Sequence, residues 1–282
     1  MNPPEIPRKN SRLWIILGVV LFTLVIAGGV SVYFGGKFLV KTIEAQKNRR
    51  ASLAELEAKR REFAESARAS AEEGKVEGAS ERLSKFGESV GNAAESTTGT
   101  ERQGLRVAQR LLQSMAPAVS TYEAAFKELQ SADVLKVDLI DSKEAIASRV
   151  VVVNKFSEAN DNLLRVINGL ESQVRVELEK EGFPQREREK FISSFLGSAN
   201  VELTRKIRQC DTELVTTLLK MLAILDREWG AWKVENGNVS FNRAPAIEEY
   251  NTLVGNLDEI GERQSTAQQE LLKRTGKQTP LR

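Results

Sequence analysis

The stretch of sequence that decides the fold runs from residue 146 to residue 178 and reads IASRVVVVNKFSEANDNLLRVINGLESQVRVEL. One set of residues recurs at alternating steps of three and four, which places it on a single face of an α-helix. The set comprises Ile146, Val150, Val153, Phe156, Asn160, Leu163, Ile167, Leu170, Val174 and Leu178. Gly182 and Pro184 follow, and together they are typical of a helix end and a new helix start.

Three further stretches carry the same periodicity, at 105–129, 203–229 and 247–257. The first contains Pro117, which we expect to kink the helix or to divide it in two. Helices of 25 to 40 residues would be roughly 40 to 60 Å long and must lie side by side to bury their apolar faces. The sequence therefore predicts an all-α fold, with an elongated antiparallel helical bundle over 105–275.

The chain begins with a short tail, 1–12, and continues with LWIILGVVLFTLVIAGGVSVYFGG at 13–36, which contains no charged residue. A helix that spans a bilayer needs about 20 mostly apolar residues, so 13–36 predicts a single transmembrane helix. A cleaved signal peptide is the alternative, because Val25 and Ala27 have the spacing of a cleavage site. The apolar character continues to Phe34, well beyond that site, and this favours an anchor.

Basic residues flank the predicted anchor on both sides and give opposing signals about its orientation. The segment from Lys37 to Arg50 carries more positive charge than the tail, which favours a C-terminal side in the cytoplasm. The cluster from Arg8 to Arg12 is tight against the membrane edge on a short tail, which is typical of an anchor whose N-terminus is inside. We expect the bulk of the chain to lie outside the cytoplasm.

Two weaker segments join the anchor to the bundle. Residues 37–73 predict a helical stalk, because Leu56 and Phe63 have seam spacing among many charged residues. Residues 74–104 are rich in Gly, Ser, Thr and Ala, and predict a weakly structured helix and loop that buries little. The best candidate loop is TTGT at 97–100. The chain ends in a predicted tail at 276–282.

A β-hairpin is predicted where WKVENGNVSF occupies 232–241. Asn236 and Gly237 form a strong two-residue turn signal, because both central residues of a type I′ turn need positive φ. Counting outward from this turn pairs Val234 with Val239 and places the apolar residues of both strands on one face. Ala244-Pro245 then begins the last helix.

Four aromatic residues are predicted to meet at the hairpin, and they are the candidate site: Trp229, Trp232, Phe241 and Tyr250. One hypothesis is a recognition site for a ligand or partner, with Asp226 and Glu228 as polar anchors. The other is an apolar cap that closes the end of the bundle. The cap is favoured, because aromatic residues at this spacing bury large areas whether or not anything binds.

Three other features have simple structural interpretations. Cys210 lies on the apolar face of the stretch 203–229, between Ile207 and Leu214, which predicts an inert buried thiol. Asn160 either fixes the register of the helices as a buried polar residue or marks where its face meets water. The run QREREK at 185–190 predicts a solvated helix face rather than a binding patch.

Composition argues against catalysis. The sequence contains no histidine, which removes the commonest general base and the commonest metal ligand. No glycine-rich phosphate loop, paired-cysteine zinc motif, GxSxG or calcium loop is present. We therefore expect a non-enzyme without catalytic, cofactor-binding or metal-binding residues.

The charge balance argues against binding to nucleic acid. Lys plus Arg total 41 against 39 for Asp plus Glu, so the chain has no large net positive charge to attract nucleic acid.

Two hypotheses for function remain. The first is a single-pass membrane protein whose helical bundle acts as a non-catalytic interaction or scaffold module. Its partners would be the bilayer and either another protein or a second copy of the chain, with coiled-coil seams as the contact. The second is a ligand-sensing helical ectodomain. The tail at 1–12 is too short to be an output domain, so such a sensor would signal through a partner protein.

Overall fold

A computed structural model describes residues 78–235 and 238–276, together with part of the segment 51–66. The predicted anchor at 13–36 and tail at 1–12 lie outside the described residues, as does the C-terminal tail after residue 276. Among the described residues, no helix has the length and apolar character needed to cross a bilayer. The described structure thus gives the membrane prediction no support, and it stays a prediction.

The described chain is mostly helical with one small hairpin, which confirms the coarse fold class. Its elements in chain order are α1 (Ala79–Glu95), α2 (Gly99–Ser131), a 3₁₀ turn (Val137–Leu139), α3 (Lys143–Lys180), α4 (Gln185–Ser198), α5 (Val201–Arg227), β1 (Trp232–Glu235), β2 (Asn238–Phe241) and α6 (Ala244–Gly276).

The ends of α3 show why the longest helix has the limits it has. At its start, the Ser142 hydroxyl accepts a hydrogen bond from the Ala145 amide at 3.1 Å, as an N-cap does. At its end, Gly182 adopts φ +66° and the Phe183 amide donates to the Leu178 carbonyl at 2.9 Å. This is the Schellman arrangement, and the predicted helix end at Gly182 is confirmed.

Polar contacts between neighbouring helices show that the long helices are antiparallel. Gln103 near the start of α2 donates to the carbonyl of Glu181 beyond the end of α3, while Lys155 near the start of α3 pairs with Glu128 near the end of α2. The same inverse order relates α3 to α5 and α5 to α6. The apolar faces of all four long helices are buried in one hydrophobic core.

The segment predicted to bury little, 74–104, is corrected by the structure. Within it, α1 places Leu83 and Val90 at 0 % exposure against α2. Small residues make this packing close: a Cβ added at Gly87 would lie 3.4 Å from the Leu112 Cβ. The composition of this segment led us to underestimate the burial of α1, because glycine and alanine add little apolar area but allow two helices to approach closely.

The predicted stalk also needs correction, and so does one of the two alternatives predicted for Pro117, a divided helix; the kink stays a prediction. The described residues of 51–66 are helical, but Leu56 and Phe63 are buried, and the Phe63 ring lies 5.3 Å from that of Phe86 in α1. This part of the stalk therefore packs on the bundle. Pro117 does not divide its helix, since α2 continues unbroken from Gly99 to Ser131.

The hairpin has the register that was predicted. The pairs are Trp232 with Phe241, Lys233 with Ser240, Val234 with Val239 and Glu235 with Asn238. The two residues that join the strands, Asn236 and Gly237, lie outside the described residues, so the turn type stays a prediction.

Gly237→Val tests that turn. We expect a loss of about 1 to 3 kcal/mol in the free energy of unfolding, because a β-branched residue is strained at positive φ. Gly237→Asn is the matched control and should lose less, since asparagine tolerates that conformation. The two variants can be compared by chemical unfolding followed by circular dichroism. Equal stability of both variants and the wild type would exclude the type I′ turn.

Candidate functional site

The four predicted aromatic residues form two ring pairs at one end of the bundle. Trp229 and Trp232 meet edge to face with centroids 5.7 Å apart, while Phe241 and Tyr250 are tilted at 5.4 Å. The Trp232 indole donates to the Leu225 carbonyl at 2.9 Å, which fixes the hairpin to the last turn of α5.

The two pairs differ in burial. Phe241 and Tyr250 are each 5 % exposed, whereas Trp229 is 36 % exposed. Burial raises the pKa of Tyr250 well above its ordinary value. One half of the aromatic cluster therefore lies in the core, and the other half meets the surface.

The two acidic residues proposed as anchors are occupied by structural contacts. Glu228 is buried and its Oε1 accepts from Arg227 and Arg243 at 3.1 and 3.2 Å. Asp226 is exposed and lies 3.4 Å from the ammonium of Lys143 at the start of α3. These contacts tie α3, α5 and the start of α6 together beneath the hairpin.

A second cluster, of which the sequence singled out only Asn160, lies in the middle of the bundle. It is a buried polar layer contributed by all four long helices, and its members are Tyr122, Asn160, Arg208, Asp211, Gln264 and Gln268. None of these residues is more than 2 % exposed.

Asp211 is the centre of this polar layer. Its Oδ2 accepts from the Tyr122 hydroxyl at 2.8 Å and lies 3.0 Å from an Arg208 guanidinium nitrogen, while its Oδ1 accepts from Gln264 at 2.7 Å. The Asn160 amide donates to the Arg208 carbonyl at 3.1 Å. The interpretation of Asn160 as a buried polar residue is thus confirmed, and its alternative, a face in water, is wrong.

The electrostatics of the layer follow from complete burial. Burial raises the pKa of Asp211, while the Arg208 charge acts in the opposite direction. Burial also raises the pKa of Tyr122 well above its ordinary value. The Arg208 guanidinium carbon lies 4.4 Å from the centre of the Tyr122 ring, a cation–π contact in a low-dielectric environment.

Sequence reasoning missed Arg208 and Asp211 because charged residues are ordinarily on the surface. A weak signal was present. Arg208 directly follows Ile207, and Asp211 directly follows Cys210, so each is next to a residue of the apolar face. A wider buried face on α5 would therefore have included both. On α6, Gln264 and Gln268 follow the periodic stretch at 247–257 and lie at the same level of the bundle.

The other singled-out residues behave as expected. Cys210 is a buried free thiol, and burial raises its pKa, so it has little thiolate character. Within QREREK, Arg186 and Lys190 are exposed, and Glu189 pairs with Arg175 on the surface.

A groove of about 370 Å³ lies between α5 and α6. Thr216 and Thr217 line it, but their hydroxyls donate to carbonyls of their own helix, and Glu213 pairs with Arg263 across it. The hydroxyls of Thr216 and Thr217 and the charges of Glu213 and Arg263 are therefore occupied. Among the described residues, no group of three or more acidic or cysteine side chains is placed to hold a metal ion.

Comparisons with protein-family models, curated proteins and solved structures found no match to this chain.

Proposed function

We propose that this protein is a membrane-anchored, non-catalytic interaction or scaffold module, in which 13–36 is the anchor and the helical bundle carries the docking surface. The observation that carries the proposal is the concentration of exposed apolar side chains at one end of the bundle. Among the described residues, five large apolar side chains are exposed, and three of them are Leu135, Leu139 and Trp229.

These three residues lie at the end of the bundle that carries the hairpin, and we call them the hairpin-end surface. Leu135 and Leu139 belong to the connector between α2 and α3, and Trp229 follows the end of α5. The ion pair of Lys143 with Asp226 brings these two chain segments together.

The connector holds its exposed leucines on a fixed base. Val134 and Ile140 are 7 % and 6 % exposed and anchor the connector in the core, whereas Leu135 and Leu139 are 37 % and 52 % exposed. The Lys136 carbonyl also accepts from Arg149 of α3 at 3.5 Å. A preorganised apolar display loses little entropy on association, which favours docking.

Two ion pairs lie beside the hairpin-end surface. Lys136 pairs with Asp133 at 2.7 Å, and Arg227 pairs with Glu249 at 2.7 Å. A polar rim around apolar side chains is typical of protein–protein interfaces. The partner that fits is therefore a protein with an apolar surface of its own, rather than a nucleic acid.

Site-specific photocross-linking in cells tests the docking surface. A photoreactive phenylalanine analogue at position 139 should give a discrete adduct with one protein. The same analogue at Val176, which is 48 % exposed elsewhere on the bundle, is the matched control and should give none. An adduct of twice the chain mass would identify the partner as a second copy. Equal adducts at both positions, or none at position 139, would refute the docking surface.

A ligand-sensing helical ectodomain is the second candidate function, and the buried polar layer favours it. Polar groups in a bundle core are a place where a small polar molecule is recognised in preference to apolar ones. A small molecule that raises the melting temperature of the wild type, but not of the Arg208→Met/Asp211→Leu variant, would support the sensor over the scaffold.

A further inference from the structure

The polar layer contains more hydrogen-bond donors than its protein acceptors satisfy. Within the described part of the chain, all three guanidinium nitrogens of Arg208 are buried and make no hydrogen bond to a protein atom. One of them lies 3.0 Å from Asp211 Oδ2, which is an ion-pair distance without hydrogen-bond geometry. A buried donor without a hydrogen bond costs about 1 to 3 kcal/mol of folding free energy, so these N–H groups need an acceptor.

Unsatisfied acceptors lie at the same level. Among the described residues, the Asn160 Oδ1 and both side-chain polar atoms of Gln268 are buried without a hydrogen-bond partner. Gln264 contacts Asp211 directly. Because α5 and α6 are antiparallel, one helical turn back from Asp211 in α5 and one turn forward from Gln264 in α6 lead to the same level of the bundle. These steps reach Arg208 in α5 and Gln268 in α6. The donors of Arg208 and the acceptor oxygen of Gln268 therefore occur in one layer.

The mixture of donors and acceptors defines the ligand. An anion only accepts hydrogen bonds, so it would leave the oxygens of Asn160 and Gln268 unsatisfied and would be repelled by Asp211. A cation would be repelled by Arg208. Water both donates and accepts, and buried waters typically make about three hydrogen bonds to such groups.

We infer that the polar layer is a binding site for ordered internal water. The water accepts from the Arg208 guanidinium and donates to the amide oxygens of Gln268 and Asn160. It completes the hydrogen bonding of Arg208, Asn160 and Gln268, whereas Asp211 already accepts from Tyr122 and Gln264. The inference does not depend on the scaffold proposal, but it competes with the sensor, because the water would occupy the groups that a sensed molecule would contact.

Radiolytic hydroxyl-radical labelling of the full chain, read out by mass spectrometry, tests this site. Radicals generated from bound water modify adjacent side chains even where bulk solvent has no access. Tyr122 and Phe195 are both 0 % exposed, but only Tyr122 belongs to the layer. After correction for the intrinsic reactivity of each ring, we expect Tyr122 to be labelled at least about three times faster than Phe195, because buried water is held beside Tyr122 only.

Two glutamine variants supply the control. Gln268→Leu removes an oxygen that holds the water and should lower Tyr122 labelling towards the level of Phe195. Gln269→Leu changes the exposed neighbouring residue and should leave the labelling unchanged. Wild-type labelling of Tyr122 as slow as that of Phe195 would overturn the inference. Fast labelling that Gln268→Leu does not alter would overturn it as well, because it would reflect opening of the bundle rather than a bound water.

Discussion

Replacing Asp211 by leucine alone should lower the free energy of unfolding by about 3 to 5 kcal/mol, because it leaves the buried Arg208 charge without compensation. For a chain of this size the melting temperature should fall by roughly 6 to 20 °C. The change also removes the acceptor of the Tyr122 and Gln264 hydrogen bonds. Thermal unfolding followed by circular dichroism measures this loss.

The double variant Arg208→Met/Asp211→Leu is the decisive comparison. Replacing a whole buried ion pair by apolar residues of similar volume is often neutral or stabilising, whereas removing one partner is not. We therefore expect the double variant to recover at least about 2 kcal/mol of the loss caused by Asp211→Leu. A double variant as unstable as the single one would mean that Arg208 and Asp211 do not form a coupled pair.

Phe241→Ala should cost about 3 to 5 kcal/mol, since the side chain is 5 % exposed and packs on Tyr250. Its loss would open a cavity between the hairpin and α6. Trp229→Ala is the matched control at the same end of the bundle and should cost about 1 kcal/mol or less, because that side chain is 36 % exposed.

The pair of variants also separates the two hypotheses for the aromatic cluster. If the cluster is an apolar cap, Phe241→Ala loses much stability and Trp229→Ala loses little. If it is a recognition site that contributes nothing to the fold, both variants keep the wild-type melting temperature. Equal and small effects would therefore contradict the cap.

The parts of this fold that the sequence predicts are those set by local rules. Periodicity of three and four residues gave the long helices, and Gly182 marked the end of α3. The two-residue turn signal at 236–237 fixed the strand register, because the side-chain period of a strand is two and a slip would have reversed every side chain.

The parts that the sequence did not predict depend on contacts between distant residues. The burial of α1 depends on α2, which lies against Gly87. The burial of Arg208 depends on Tyr122 from another helix and on Asp211, and no local pattern reports that a charge has found a partner. The exposure of Leu139 depends on how the connector is anchored, and its apolar character alone would have placed it inside.

The orientation of the chain follows from the proposed anchor and can be tested separately. We expect a reporter that is active only outside the cytoplasm to be active at the C-terminus, and one that is active only inside to be silent. The reverse result would mean that the positive charges from Lys37 to Arg50 set the orientation. It would remove the ectodomain hypothesis and leave an adaptor at the inner membrane surface.

The anchor itself is tested most directly by alkaline extraction of membranes from cells that express the full chain. We predict that the chain sediments with the membranes. A variant with Val20→Arg and Leu24→Arg should be released, because each charge at the centre of a spanning helix costs about 2.5 to 3.5 kcal/mol. Release of the wild-type chain into the alkaline supernatant would contradict the proposal of a membrane-anchored module.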